Sequence, residues 1–186
     1  NIDTKDSIEF VFNEITKSFK EIHSIIHCSY PRTEDWGVGF EYLEESSLKQ
    51  NLYLQLGISI LISQKTMQIF LKQNKGNLIF FSSILGVRAP KFDQYKDTSM
   101  TTPIEYSAIK SGIISITKYL AKYYSQSNIR VNCISPGGIL DNQPASFTEK
   151  YRQNCINKGM LDPDDITGAV LFLISDSAKY INGQNI

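Results

Sequence analysis

A tyrosine and a lysine stand four residues apart near the start of a predicted helix, in Tyr106-Ser-Ala-Ile-Lys110. In a helix this spacing places both side chains on one face, leaning toward the helix N-terminus. A phenol has a pKa of about 10, and a neighbouring cation lowers that pKa by stabilising the phenolate. Tyr106 is therefore a candidate general acid/base, and Lys110 is the group that would tune it. An ordinary helix surface can show the same pair, so the surrounding residues must show whether the pair is catalytic.

Three predicted strands end in small, polar or kinked segments: His27-Cys-Ser-Tyr30, Ser82-Ser83 and Ser135-Pro-Gly-Gly138. In an open parallel sheet, ligands bind outside the carboxyl ends of the strands. The same residue types also suit plain turns between a strand and a loop. Each segment alone therefore fits a functional site and a turn equally well.

The elements that must position these residues follow from hydrophobic spacing and from turn residues. Either Asp3 or Thr4 is predicted to cap the first helix. Residues 84–103 are predicted to be a long loop, and loops of that length usually have a function. The alternation of helices and strands predicts a doubly wound parallel α/β sheet, Rossmann-like and three-layered (αβα). The predicted helices are 6–20, 45–73, 104–125, 146–157 and 163–175, and the predicted strands are 23–28, 77–82 and 129–134.

Both ends of the sequence look cut. Residues 1–4 are typical of the exit of a strand, and a strand is predicted to begin at Asn185-Ile186. We therefore expect a single domain over residues 1–186 that is incomplete at both ends, with its N-terminal strands and the rest of its final strand missing.

Charge and composition exclude several classes of protein. The 19 basic residues balance 19 acidic ones, which does not favour a nucleic-acid or membrane surface. No apolar run approaches the roughly 18–20 residues of a membrane span. The three cysteines, Cys28, Cys133 and Cys155, lack the spacing of metal ligands. We expect no metal, and we expect reduced thiols in a cytoplasmic protein.

Ser83 at a strand end, Tyr106 and Lys110 on the next helix, and then Arg130-Val-Asn-Cys-Ile-Ser-Pro-Gly137 form an ordered set of motifs. Together they resemble the short-chain dehydrogenase/reductase family. The segments 76–86 and 162–184 are similar to that family's serine strand and closing helix, so the resemblance runs from end to end. It implies hydride transfer between a nicotinamide cofactor, NAD or NADP, and an alcohol or carbonyl group.

The resemblance also assigns roles to residues. It implies that Tyr106 transfers the proton, that Ser83 hydrogen-bonds the substrate oxygen, and that Lys110 also holds the nicotinamide ribose. It places Asp3 at the adenine amine. The remaining implied cofactor contacts are Ser29 of the first strand end and Pro136, Gly137 and Ile139 beside the nicotinamide.

Three departures from the family pattern matter. The glycine-rich turn that holds the pyrophosphate is absent, together with the residue that separates NAD from NADP, so these 186 residues alone are expected to bind cofactor poorly. The family's Asn-Asn-Ala-Gly element is replaced by residues 27–30. The family's catalytic asparagine falls at Gln55, which could still hold a relay water, while Asn51, one turn earlier, is a weaker candidate.

The rim of the pocket bears on the substrate. Tyr106 follows Ser83 by 23 residues, which is long for the family, and residues 91–95 and 99–103 are expected to rim the pocket. Residues 139–160 match the family's mobile lid. A polar, hydroxyl-rich rim suits a polyhydroxylated substrate. Three segments, 89–95, 100–110 and 135–144, are also similar to a bacterial subgroup that modifies flagellin with legionaminic-type sugars. This similarity implies that the substrate is an amino-sugar, sugar-phosphate or nonulosonic acid precursor.

Other functions stay open at this point. One alternative is a non-catalytic relative that serves as a scaffold subunit, which the altered residues 27–30 and 55 favour slightly. Another is a sugar dehydratase or epimerase, although little chain follows Tyr106 to form a separate substrate domain. The resemblance further implies a homodimer or homotetramer assembled through the helices 45–73 and 104–125.

Overall fold

A three-stranded parallel sheet forms the centre of the protein. The computed structural model describes residues 2–186, with strands β1 (Ser24–His27), β2 (Gly76–Phe81) and β3 (Ile129–Ile134) in that spatial order. The chain end lies along β3, where the Cys133 amide donates to the Gln184 carbonyl at 2.9 Å and the Ile186 amide donates to the Cys133 carbonyl at 2.9 Å. The backbone there begins a parallel ladder, in agreement with the strand expected at Asn185-Ile186.

The helices follow the predicted order. They are α1 (Lys5–Ser18), α2 (Glu45–Asn51), α3 (Ile58–Gln73), α4 (Ile104–Tyr123), α5 (Ala145–Arg152) and α6 (Thr167–Ile174). A π-helical turn, Leu52–Gly57, joins α2 to α3, so residues 45–73 run as one interrupted helix. Such turns often mark functional sites.

Helices cover both faces of the sheet. On one face, Leu78 and Phe80 of β2 pack against α3 and α4. On the opposite face, Ile79 packs against Leu173 of α6. A strand buried on both sides is typical of a parallel sheet with helices on each face. The predicted doubly wound, three-layer αβα architecture is therefore confirmed.

The structure corrects several boundaries. Helix α5 ends at Arg152 rather than at residue 157. At this end the Asn154 side-chain amide donates to the Lys150 carbonyl at 2.9 Å and satisfies one of the helix's terminal acceptors. Residues 163–166 form a 3₁₀ turn ahead of α6. The loop 84–103 contains two short 3₁₀ turns, Ile84–Gly86 and Phe92–Tyr95.

Thr4 is the residue that caps α1. Its hydroxyl accepts a hydrogen bond from the Ser7 amide at 3.1 Å, and the Ser7 hydroxyl accepts from the Thr4 amide at 3.0 Å. The carboxylate of Asp3 takes no part in this cap. The capping role is therefore settled in favour of Thr4.

Within residues 2–186 no helix is both long and apolar enough to cross a bilayer. The same residues contain no group of three or more His, Cys, Asp or Glu side chains placed to hold a metal ion. The three cysteines are unpaired, with Cys133 buried and Cys28 exposed.

Candidate active site

Ser83, Tyr106 and Lys110 line one cavity, of about 720 Å³, at the carboxyl ends of the strands. Ser83 follows β2 and is 7% exposed, and Lys110 on α4 is also 7% exposed. The Lys110 ammonium lies 5.5 Å from the centre of the Tyr106 ring. The structure therefore brings together the three residues that sequence analysis placed at the chemical step.

Two hydrogen bonds fix α4 against the end of β2. The Ser82 hydroxyl donates to the Lys110 carbonyl at 2.7 Å, and the Lys110 ammonium donates to the Phe81 carbonyl at 3.1 Å. Both serines line the cavity, but the Ser82 hydroxyl proton is used to hold the helix, whereas the Ser83 hydroxyl accepts from the Leu85 amide at 3.1 Å and keeps its proton for a ligand. The geometry supports the assignment of Ser83, rather than Ser82, to the substrate side.

Gly86 permits the close approach of the loop to α4. A Cβ atom at this position would lie 2.7 Å from the carbonyl carbon of Lys110 and 2.9 Å from its oxygen, both backbone atoms. We expect Gly86→Ala to lower the free energy of unfolding by about 1–3 kcal/mol, the usual cost of overpacking. Urea denaturation measures this change.

Gly168 provides the matched control for Gly86. No atom lies within 4 Å of the position a Cβ would take at Gly168, in helix α6. Gly168→Ala is expected to raise stability by up to about 1 kcal/mol because alanine favours the helix. Equal effects of the two substitutions would contradict the close contact between Gly86 and Lys110.

Burial shifts the titration of both members of the pair. It raises the pKa of Tyr106, while hydrogen bonding to Ser83 acts in the opposite direction. Burial also lowers the pKa of Lys110 to about 8, and interaction with Cys133 opposes this shift. Lys110 is thus mainly cationic at neutral pH, where it can stabilise a Tyr106 phenolate.

An aromatic wall, formed by Tyr30 and Trp36, stands beside Tyr106. The ring centres lie 5.8 Å (Tyr30) and 6.2 Å (Trp36) from that of Tyr106, in edge-to-face geometry. The Lys110 ammonium also lies 5.2 Å from the Tyr30 ring centre. Burial raises the pKa of Tyr30, so its phenol stays neutral. Tyr30 was expected at a strand end, and Trp36 was not singled out from the sequence.

The segment after β3 lines the same cavity. Pro136, Gly137 and Ile139 are all part of its wall, as the resemblance implied. The Gly138 amide donates to the Tyr151 hydroxyl at 2.6 Å. Side chains at this segment would collide with the lid, because a Cβ atom on Gly138 would lie 2.9 Å from the terminal carbon of Met160.

Two of the predicted cofactor contacts lie elsewhere. Neither Asp3 nor Ser29 lines this cavity, although Cys28 and Tyr30, the two neighbours of Ser29, do. Asp3 lies just ahead of α1, outside the cavity that holds Tyr106. Their roles in cofactor binding remain predictions.

The two candidate amides differ in their partners. Asn51 is fully buried, and its side chain exchanges hydrogen bonds with the Thr33 amide (3.1 Å) and hydroxyl (2.9 Å). Gln55 lies in the π-helical turn, 3% exposed, and within residues 2–186 neither of its side-chain amide atoms has a partner. A buried amide of this kind is costly unless it is paired. Asn51 is thus occupied by Thr33, whereas the Gln55 amide is unpaired. Gln55 does not line the cavity, and its catalytic role stays a prediction.

A buried network connects the π-helical turn to β1. The single hydroxyl proton of Ser59 is donated to the Gln55 carbonyl. Ser59 must therefore accept from the His27 ring, whose Nε2 lies 3.0 Å away. Burial, aided by Lys110, lowers the pKa of His27 to about 4, so the ring is neutral. His27 thus connects β1 to the π-helical turn behind the cavity, which it does not line.

The rim residues are partly as expected. Tyr95 of the long loop lines the cavity, and its ring centre lies 5.2 Å from that of Phe147 in α5. Lys91 bridges the same two segments through a 2.8 Å hydrogen bond to Asn154. Phe92, in contrast, is 65% exposed and faces away from this cavity.

A family model described as "Enoyl-(Acyl carrier protein) reductase" matches residues 1–186. The chain belongs to the short-chain dehydrogenase/reductase family, a family of oxidoreductases.

Individual proteins of known name or structure are also similar to this chain. The chain is 42% identical to the Post-translational flagellin modification protein A of Campylobacter coli over 187 aligned residues, which cover 100% of this chain and 73% of that protein. It is 32% identical to the 7alpha-hydroxysteroid dehydrogenase of Bacteroides fragilis, covering 78% of this chain and 54% of that protein. A solved short-chain dehydrogenase of Leptospira borgpetersenii with bound NAD⁺ matches with a TM-score of 0.90 and 32% identity, covering 100% of this chain and 70% of that one.

Proposed function

We propose that the full-length protein is a nicotinamide-dependent oxidoreductase, using NAD or NADP, that acts on an alcohol or ketone of a sugar-like substrate. The observation that carries this proposal is the convergence of Ser83, Tyr106 and Lys110 on one cavity. A purely structural relative has no physical need for a buried lysine beside a half-buried phenol. The scaffold alternative is for this reason the weaker one.

The cavity suits the nicotinamide end of such a cofactor. Its volume of about 720 Å³ lies within the range of small-molecule sites. Gly137 leaves its part of the wall without a side chain. When bound, the nicotinamide would supply or accept the hydride. Pro136, Gly137 and Ile139 would contact its ring, and Lys110 would hold the adjoining ribose.

The protein's own residues would handle the proton. Tyr106 would donate a proton to the substrate oxygen during reduction, or accept one during oxidation. Ser83 would hydrogen-bond the same oxygen, and the Lys110 cation would stabilise the phenolate that forms. Gln55, with its unpaired amide, would hold a water that relays the proton.

The flagellin-modification relative of Campylobacter coli supports a proposal for the biological setting. We infer that the substrate is an amino-sugar or sugar-phosphate precursor of a legionaminic-type acid, converted in the cytoplasm. We also infer a homodimer or homotetramer. Exposed apolar side chains on α3 and α4, including Ile60 and Tyr119, support such an assembly.

Titration of the full-length protein with NAD and NADP tests the proposal. We expect at least one of them to bind, observed by calorimetry and through a change in the fluorescence of Trp36, which lines the cavity. Turnover of sugar-like alcohols in the presence of the bound cofactor would follow. Failure of both cofactors to bind would contradict the oxidoreductase assignment.

A further inference from the structure

The charged residues that line the cavity are unbalanced. Over the whole chain 19 basic residues equal 19 acidic ones, yet the cavity is lined by four basic residues and one acidic residue. The acidic residue is Asp141, and the basic residues are Arg32, Arg88, Lys91 and Lys110. Lys110 is required for the proposed chemistry, which leaves three cations without a role.

None of these three cations is neutralised by the protein. In the part of the chain that the structure describes, Arg32, Arg88 and Lys91 take part in no ion pair. Lys91 instead holds the Asn154 amide oxygen. A cavity lined by one sign of charge attracts ligands of the opposite sign.

Arg32 is connected to the proposed chemistry through Tyr30. Its guanidinium lies 5.4 Å from the centre of the Tyr30 ring, in cation–π geometry. The same ring contacts Tyr106. Arg32 is thus positioned by the aromatic wall itself.

The loop that carries Arg32 is fastened to α2. The Thr33 amide donates to the buried Asn51 side chain at 3.1 Å, and the Ser47 hydroxyl donates to the Asp35 carboxylate. The Asp35 carboxylate is thereby bound to α2, and Asp35 does not line the cavity. Arg32 therefore projects from a fixed segment, which reduces the entropy lost when it binds a ligand.

We propose that the substrate carries an anionic group, a phosphate or a carboxylate, and that Arg32 binds this group as a specificity-determining residue, with Arg88 as a second cation. The proposal rests on the oxidoreductase function and adds the substrate's charge to it. A planar guanidinium matches the oxygens of either anion in bidentate geometry. A neutral steroid or a free sugar would leave this positive charge without a partner.

The test uses the full-length protein with its bound nicotinamide cofactor and three groups of probes: hexose 6-phosphates, uronic acids and the corresponding free hexoses. Calorimetry measures probe binding independently of turnover, and absorbance of the reduced nicotinamide measures turnover. We expect at least one of the two anionic groups to bind more tightly than the free hexoses, and the group preferred identifies the anion. Equal binding of neutral and anionic probes would overturn the proposal.

Arg32→Gln separates this role from a structural one. Loss of a charge-assisted hydrogen bond is expected to raise KM for the anionic probe by roughly tenfold to a hundredfold while kcat changes little. Binding of the free hexose and of the cofactor should be unchanged. The matched control is Lys72→Gln, which removes an exposed cation of α3 outside the cavity and should change nothing.

The two levels of the hypothesis fail in different ways. If Arg32→Gln weakens the cofactor rather than the anionic probe, Arg32 belongs to the cofactor site and the inference is wrong, while the oxidoreductase function stands. If neither NAD nor NADP binds, the proposed function is wrong, while calorimetry of the hexose 6-phosphates still decides whether Arg32 selects anions.

Discussion

Replacing Tyr106 with phenylalanine is expected to lower kcat of the full-length protein by roughly 10²–10⁴-fold, the usual contribution of a general acid/base. The substitution removes only the hydroxyl, so the edge-to-face packing with Tyr30 and Trp36 should persist. Nicotinamide binding is therefore expected to be retained. Steady-state kinetics and a cofactor titration on the same preparation measure the two quantities.

Tyr123→Phe is the matched control, because Tyr123 lies on the same helix and is 67% exposed. It should leave kcat unchanged. A Tyr106→Phe variant with full turnover would remove the proton-transfer role from Tyr106 but would leave the family assignment intact.

The order of helices and strands could be predicted because it depends on local pattern. The run of apolar residues in β2 indicates a strand buried on both faces, and the spacing along α4 indicates one buried stripe. The ends of helices were less predictable. The end of α5, for example, depends on a hydrogen bond from the Asn154 side chain.

The chemical residues of the site could be predicted because the motif keeps Tyr106 and Lys110 close in sequence. The aromatic wall could not, because Trp36 lies in a loop and reaches Tyr106 across 70 residues of chain. The choice between Asn51 and Gln55 also depended on tertiary contacts. Only the pairing of Asn51 with Thr33 shows that its amide is occupied.

Lys110 has several structural and chemical functions in the site at once. Lys110 supports the loop after β2 through the Phe81 carbonyl, faces two aromatic rings and lies next to a neutral His27. No acidic side chain forms an ion pair with it within residues 2–186. Its charge is therefore held in a buried site without a carboxylate, which destabilises the folded state but leaves the charge available to a phenolate.

Lys110→Met is expected to reduce the phenolate fraction of Tyr106, and with it the rate of proton transfer, by roughly tenfold to a thousandfold. A neighbouring cation typically lowers the pKa of an acid by about 1–3 units, and this effect would be lost. The control Lys118→Met removes an exposed lysine of the same helix and should leave the rate unchanged. Equal rates for the two variants would contradict the electrostatic role of Lys110.

The same variant predicts a change in how stability depends on pH. The folded-state pKa of Lys110 is about 8, below the ordinary lysine value of 10.5. Between these two values the unfolded chain binds more protons at this site than the folded protein, so the free energy of unfolding of the wild type should rise with pH. Below pH 8 both states hold the proton and the contribution is flat. Lys110→Met should lack this rise, whereas Lys118→Met should retain it, and urea denaturation at pH values from about 7 to 10 measures the difference. Parallel curves for the wild type and Lys110→Met would show that Lys110 titrates alike in the folded and unfolded states, and the lowering of its pKa by burial would then be wrong.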